Sequence, residues 1–150
     1  MPSRKITLLD RAKADLVTAK SMMSVAINDD VVMDVCAYHC QQCVEKITKF
    51  LILLQGDNYA NDHRSDIYLE ELKDDEVAAI VRHVASKIDS WATTIRYHHA
   101  ILSNEKMVKE VVEICEKLVI IAEKRIPGEA RSPASDVKNL DINNDEIKDK

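Results

Sequence analysis

The chain has 150 residues, 46% of them hydrophobic and 31% charged, enough for one hydrophobic core and too little for two ordinary domains. A net charge of −5 excludes a globally basic nucleic-acid footprint, so any RNA or nucleotide contact must come from a local cationic patch. With aromatics at 4%, two Gly and three Pro, the sequence has too few strand formers and turn residues for a β fold and too few breakers to interrupt long helices.

The first helix is predicted over residues 8–26, where Leu9, Ala12, Leu16, Ala19, Met23 and Ala26 alternate steps of three and four and share one face. Asn28-Asp29-Asp30 ends it and caps a second helix over residues 31–55. Cys36, Cys40, Cys43, Ile47, Phe50 and Leu54 carry its buried stripe, and Gly56 takes the C′ position, where a positive φ stops the helix.

Residues 57–65 read as a polar loop leading into a short helix over 66–72. Asp74 and Asp75 cap the fourth helix, whose stripe is Val77, Val81, Val84, Ile88, Trp91 and Ile95. Ser103 is the predicted N-cap of the fifth. That helix has two adjacent stripes, one of Met107, Val111, Ile114, Leu118 and Ile121, the other of Val108, Val112, Cys115, Val119 and Ala122. Such width predicts a helix covered on two sides. Pro127 and Gly128 stop it, and residues 127–150 are polar and acidic, which predicts a disordered tail. The expected fold is all-α: an antiparallel up-and-down bundle of four long helices plus one short helix, over residues 1–126.

The most apolar runs, residues 50–54 and 118–122, fall far short of the roughly 20 residues that span a bilayer, and residues 1–6 have no apolar signal core. No membrane association is expected, and the chain is placed in the cytoplasm. Three of the four cysteines sit on one predicted helix, so reduced thiols are expected instead of disulfides between elements.

The string DVCAYHCQQCVEKITKFLILL at residues 34–54 resembles the signature helix of the HEPN family, the higher-eukaryote and prokaryote nucleotide-binding domain. Its Gln-Gln pair, Glu-Lys pair and apolar run stand here as Gln41, Gln42, Glu45, Lys46 and residues 50–54. Residues 11–23 look like the family's first helix, His63 with Asp66 and Leu69 like its loop into a short helix, and Ile95-Arg96-Tyr97 like a late Arg-Tyr element. The resemblance covers roughly residues 8–126. It implies a bundle of the stand-alone type that forms a homodimer and partners a minimal nucleotidyltransferase, often as a toxin–antitoxin pair, with RNA or a nucleotide as the linked ligand.

In the family's ribonuclease branch an Arg is followed by a His after roughly four to six residues, a spacing that lets both meet one phosphate. Here Arg96 is followed by His98 and His99, and Arg82 directly by His83, so the sequence departs from that pattern. Any enzymatic activity implied is RNA cleavage, by a divergent, metal-independent site across a dimer interface.

Arg96-Tyr97-His98-His99 is the best candidate site. At a helix C-terminus, cations are favoured by the dipole, and an Arg with two imidazoles can bind a phosphate and shuttle a proton. Arg96, His98 and His99 are the catalytic candidates, against solvated residues finishing a helix. Arg82, Asp89 and Arg96 recur every seven residues on one face, with Ala78, Ala85 and Ala92 between them. With Tyr97 they form the candidate nucleotide or RNA contacts, in a polar cleft or dimer seam; a solvated flank is the competing reading.

Cys36, Cys40 and Cys43 share a face that is also the core stripe, and structural zinc usually draws Cys pairs from turns or separate elements, so no metal site is expected with His39, which reads as a hydrogen-bonded or partly exposed residue. Gln41, Gln42, Glu45, Lys46 and Lys49 read as a solvated polar face with Glu45–Lys49 as an i,i+4 pair. Trp91 and Tyr38 read as core or interface anchors. No Gly-rich phosphate loop and no Gly-x-Ser-x-Gly motif is present, and no cofactor is expected.

Overall fold

The computed structural model describes residues 4–93, 95 and 99–128. Five helices and no strand lie among them: α1 (Leu8–Ala26), α2 (Asp30–Leu54), α3 (Ser65–Tyr68), α4 (Asp75–Thr93) and α5 (Glu105–Arg125). The acidic tail predicted after Gly128 lies outside the described residues.

Each long helix begins and ends for local chemical reasons. Thr7 opens α1 through a capping box with Asp10, each side chain bonding the other residue's backbone N–H. Asp29 caps α2 by accepting from the N–H groups of Val31 and Val32. The C-terminus of α2 is a Schellman motif, in which Gly56 N–H reaches Leu53 O and Asp57 N–H reaches Ile52 O. Gly56 sits at φ +98, the left-handed region where a Cβ is unfavourable.

Several boundaries differ from the sequence reading, and α2 runs one residue earlier at each end than predicted. The N-cap of α5 is Asn104, whose side chain accepts from Met107 N–H; Ser103 is instead buried against α2. The short helix is a single turn over Ser65–Tyr68 and starts a residue earlier than predicted, because Asp89 of α4 binds Ser65 and fixes the chain there.

Side-chain contacts set the directions. Asp15–His39 and Cys36 Sγ–Ala19 O make α1 and α2 antiparallel. Lys13–Glu123 and Lys20–Glu116 run α5 antiparallel to α1, and Trp91–Leu102 with Arg125–Asp74 does the same for α4 and α5. Every one of the other four helices packs against α2, so α2 and α5 form the middle of the bundle with α1 and α4 on its flanks.

The core follows the predicted stripes closely. All six residues of the α4 stripe are buried, as are Cys36, Cys40, Cys43 and Ile47 of α2. Phe50 is only half-buried and Leu54 is exposed, while Leu51 and Ile52 beside them are buried, so the buried side of α2 shifts round the helix in its last turns. Trp91, Ile47, Ile52, Ile88 and Leu118 are fully buried, each worth roughly 1.5–3 kcal/mol in apolar transfer. All four cysteines are free and buried. Cys115 donates to Cys40 O, and its contacts with Cys40 and Cys43 together with burial push its thiol well up, which keeps it unreactive. Among the described residues no helix is long and apolar enough to cross a membrane.

Candidate functional site

Three of the five α2 residues expected on a solvated face, Gln41, Glu45 and Lys49, are buried, while Gln42 and Lys46 are half-buried. Gln41 has no exposure, Glu45 keeps 5% and Lys49 keeps 6%, because the chain after α2 folds back over them. The expected Glu45–Lys49 pair forms at 2.8 Å, but inside this cover. Glu45 also accepts from Gln41 Nε2 at 2.7 Å and faces His63 Nδ1 at 3.0 Å. Lys49 donates a second bond to Asp62 O at 2.9 Å and lies 5.0 Å from the centroid of Tyr59.

Burial alone would raise the Glu45 pKa. Bonds from Lys49, Gln41 and His63 outweigh it and hold the carboxyl below its ordinary value. Glu45 is therefore an ionised acceptor at neutral pH, and its contact with His63 favours a proton on Nδ1. The opposite nitrogen belongs to a side chain that is 55% exposed. Beneath the cluster, Tyr68 is fully buried and its hydroxyl has no protein hydrogen-bond partner. Burial, reinforced by Asp89 and Glu45, pushes that phenol far up, so it stays neutral.

Of the predicted nucleotide or RNA contacts, Asp89 and Arg82 can be placed. Asp89 accepts from Ser65 N–H at 3.1 Å and Ser65 Oγ at 2.7 Å, so its carboxylate holds the start of α3 against α4. Arg82 is exposed and lines a shallow cleft of about 350 Å³ with Ser65, Asp66, Glu70 and Ala85. The shared face thus borders a concavity, with two carboxylates beside its one Arg.

Arg96, Tyr97 and His98 lie outside the described residues, while His99 is exposed in a bend. The chain on either side of them is anchored. Trp91 Nε1 donates to Leu102 O at 3.4 Å. Asp34, buried on α2, accepts from Leu102 N–H at 3.1 Å and Ser103 N–H at 3.0 Å, and also from Ser103 Oγ. Among the described residues no group of three His, Cys, Asp or Glu is arranged to hold a metal ion.

A family model described as the HEPN domain matches residues 7–125, a span from the N-cap of α1 to the last residue of α5. The chain belongs to the HEPN family. No curated protein and no solved structure matches it. In this HEPN domain the helix that carries the sequence resemblance, residues 34–54, supplies Gln41, Glu45 and Lys49 to the polar cluster under the α2–α3 loop.

Sequence reasoning missed the roles of His63, Asp34 and Asp15. Asp15 accepts from both His39 Nδ1 at 2.9 Å and Lys46 Nζ at 2.6 Å, tying α1 to α2. A usable signal existed for the first case: Gln41, Glu45 and Lys49 stand one turn apart on a helix whose other sides are already apolar, and a His follows in the next loop. Asp34 and Asp15 had none, since their partners lie on other elements.

Proposed function

We propose that this HEPN protein is a dimeric module that binds a minimal nucleotidyltransferase in a toxin–antitoxin or other nucleotide- or RNA-linked system, without turning RNA over itself. The observation that carries this reading is the combination of a HEPN match through all five helices with Arg96 standing only two and three residues before His98 and His99. Two imidazoles at that spacing do not reproduce the wider Arg-to-His separation of the ribonuclease branch. His63 adds a further argument: its Nδ1 is committed to the buried Glu45 carboxylate, which suits a group that fixes a loop.

Co-expression with the nucleotidyltransferase of a neighbouring open reading frame tests it. The expected result is co-purification of the two chains, an oligomer of this one, and no loss of total RNA in the presence of this chain alone. A chain that is monomeric, fails to retain the partner and leaves growth unchanged in every combination would sink the reading.

A second reading is favoured by one feature. The Trp91–Leu102 and Asp34–Ser103 bonds anchor the chain on the C-terminal side of residues 96–99 to α4 and α2, and His99 is exposed. A divergent, metal-independent ribonuclease would place Arg96 with His98 or His99 in a composite site at a dimer interface, with Arg82, Asp89 and Tyr97 as RNA or nucleotide contacts. It requires RNA cleavage that Arg96→Ala and His99→Ala each abolish at unchanged helical content. Variants that cleave like the parent end it.

A further inference from the structure

Three charged side chains line the cleft between α3 and α4: Asp66 and Glu70 on one wall, Arg82 on the other. All three are exposed, and among the described residues none of them makes an ion pair or a side-chain hydrogen bond. By contrast, Lys73 pairs with Asp57, Lys87 with Glu110 and Arg125 with Asp74. Opposite charges that border one cleft without meeting leave room for a guest between them. The volume of about 350 Å³ lies at the lower end of the range for small-molecule sites.

The walls are held in place by the protein itself. Asp89 accepts from Ser65 N–H and Ser65 Oγ and so pins the start of α3 to α4. The coil continues past α3, with Leu69 N–H bonding Ser65 O and Glu70 N–H bonding Ile67 O, so Asp66 and Glu70 stand one turn apart. Arg82, Ala85 and Asp89 follow at steps of three and four along α4, which puts Arg82 on the side of that helix that meets α3. Between the charges the lining is carbon, from Leu69, Leu72 and Ala85.

The charges select the guest. Two carboxylates and one guanidinium require two cations and one anion on the same molecule, joined by methylenes that cover the leucines. A phosphate or an RNA backbone carries only anions, and in this cleft it would meet two carboxylates beside the one Arg.

We propose that the cleft binds a free basic α-amino acid of the lysine, ornithine or arginine class. Its α-carboxylate pairs with Arg82, whose guanidinium can hold both oxygens. Its α-ammonium and its side-chain cation go to Asp66 and Glu70, and its aliphatic stem lies on Leu69, Leu72 and Ala85. The single net positive charge of the guest matches the single net negative charge of the three side chains. One chain is enough to form such a site, so it is independent of the dimeric reading.

Calorimetric titration of the full chain with L-lysine, together with amide NMR, tests it. The expected result is saturable binding, with shifts gathered at residues 65–72 and 82–85. Arg82→Gln and Glu70→Gln should each weaken binding about tenfold at unchanged helical content, because each leaves one charge of the guest unpaired. Norleucine, which lacks the side-chain cation, and cadaverine, which lacks the carboxylate, should likewise bind about tenfold more weakly than lysine.

No saturable binding of lysine, ornithine or arginine would overturn the inference. Norleucine binding as tightly as lysine would do the same, since one carboxylate would then have no part. If Nα-acetyl-lysine amide binds as tightly as the free amino acid, the cleft belongs to a lysine side chain of a polypeptide. If AMP shifts the same amides at lower concentration than lysine, it belongs to a nucleotide. Either result rules out the free amino acid.

Discussion

His63 Nδ1 meets the buried Glu45 carboxylate at 3.0 and 3.2 Å, a contact between a loop imidazole and a helix acid 18 positions away. It closes the α2–α3 loop over a carboxylate that Lys49 and Gln41 already hold from within α2. Two charged side chains with 7% exposure each are tolerated there because each makes further bonds besides the pair, Glu45 to Gln41 and His63 and Lys49 to Asp62 O.

Removing one partner of that pair should be expensive. Lys49→Met leaves Glu45 buried without its cation and is expected to lower stability by about 3 kcal/mol, read from urea unfolding followed by far-UV circular dichroism. Glu45→Met/Lys49→Met, which removes both charges, should recover most of the loss. If the double variant is as unstable as the single one, the cost comes from packing and not from an unpaired charge.

The same cluster sets an acid limit. Unfolded, Glu45 titrates near 4.5 and Asp74 near 3.8; folded, both lie lower, Glu45 for the reasons above and Asp74 because Arg125 bonds it, with Val77 N–H assisting. Depressed folded values mean that the stabilisation is complete above the unfolded values and is lost as pH falls through the folded ones. The urea midpoint should therefore be flat from neutrality to about pH 5 and fall below it. Glu45→Gln should show a shallower fall.

Tyr68 predicts a change in the other direction. Its hydroxyl is buried without a protein acceptor, a situation that costs roughly 1–3 kcal/mol relative to a satisfied group. Tyr68→Phe should leave stability unchanged or raise it by up to about 1 kcal/mol. A marked loss in calorimetry would mean that the hydroxyl has a bonding role in solution.

Asp34→Ala removes the acceptor for two backbone donors and a hydroxyl ahead of α5. The expected loss is about 2–4 kcal/mol, with faster amide exchange at Leu102 and Ser103 than elsewhere in the bundle. Emission from Trp91, the lone tryptophan, should report the loosening directly, since its indole N–H bonds the same segment.

Gly56→Ala isolates backbone strain from packing. A Cβ there meets nothing within 4 Å, yet the residue sits at φ +98. A loss of about 1 kcal/mol in the unfolding free energy is expected from conformation alone.

The boundaries of α1 and the six-residue stripe of α4 follow from the sequence, because apolar period and capping act within a few residues. The same holds for the stop at Gly56, where a left-handed turn requires a residue without a side chain. Polar residues on α2 could not be placed this way. Periodicity assigns Gln41, Glu45 and Lys49 to the side away from the core, and on an isolated helix that side is wet.

Only the tertiary structure decided that the chain from Tyr59 to Tyr68 lies over them, which turns a surface ion pair into a buried one and gives His63 its partner. Ser103 was lost to the capping role for a like reason: Asp34, far away in sequence, took its hydroxyl, and Asn104 capped instead. Local rules govern where a helix starts, stops and turns its apolar side. Which polar groups leave water depends on contacts between distant segments, and those exist only once the bundle has closed.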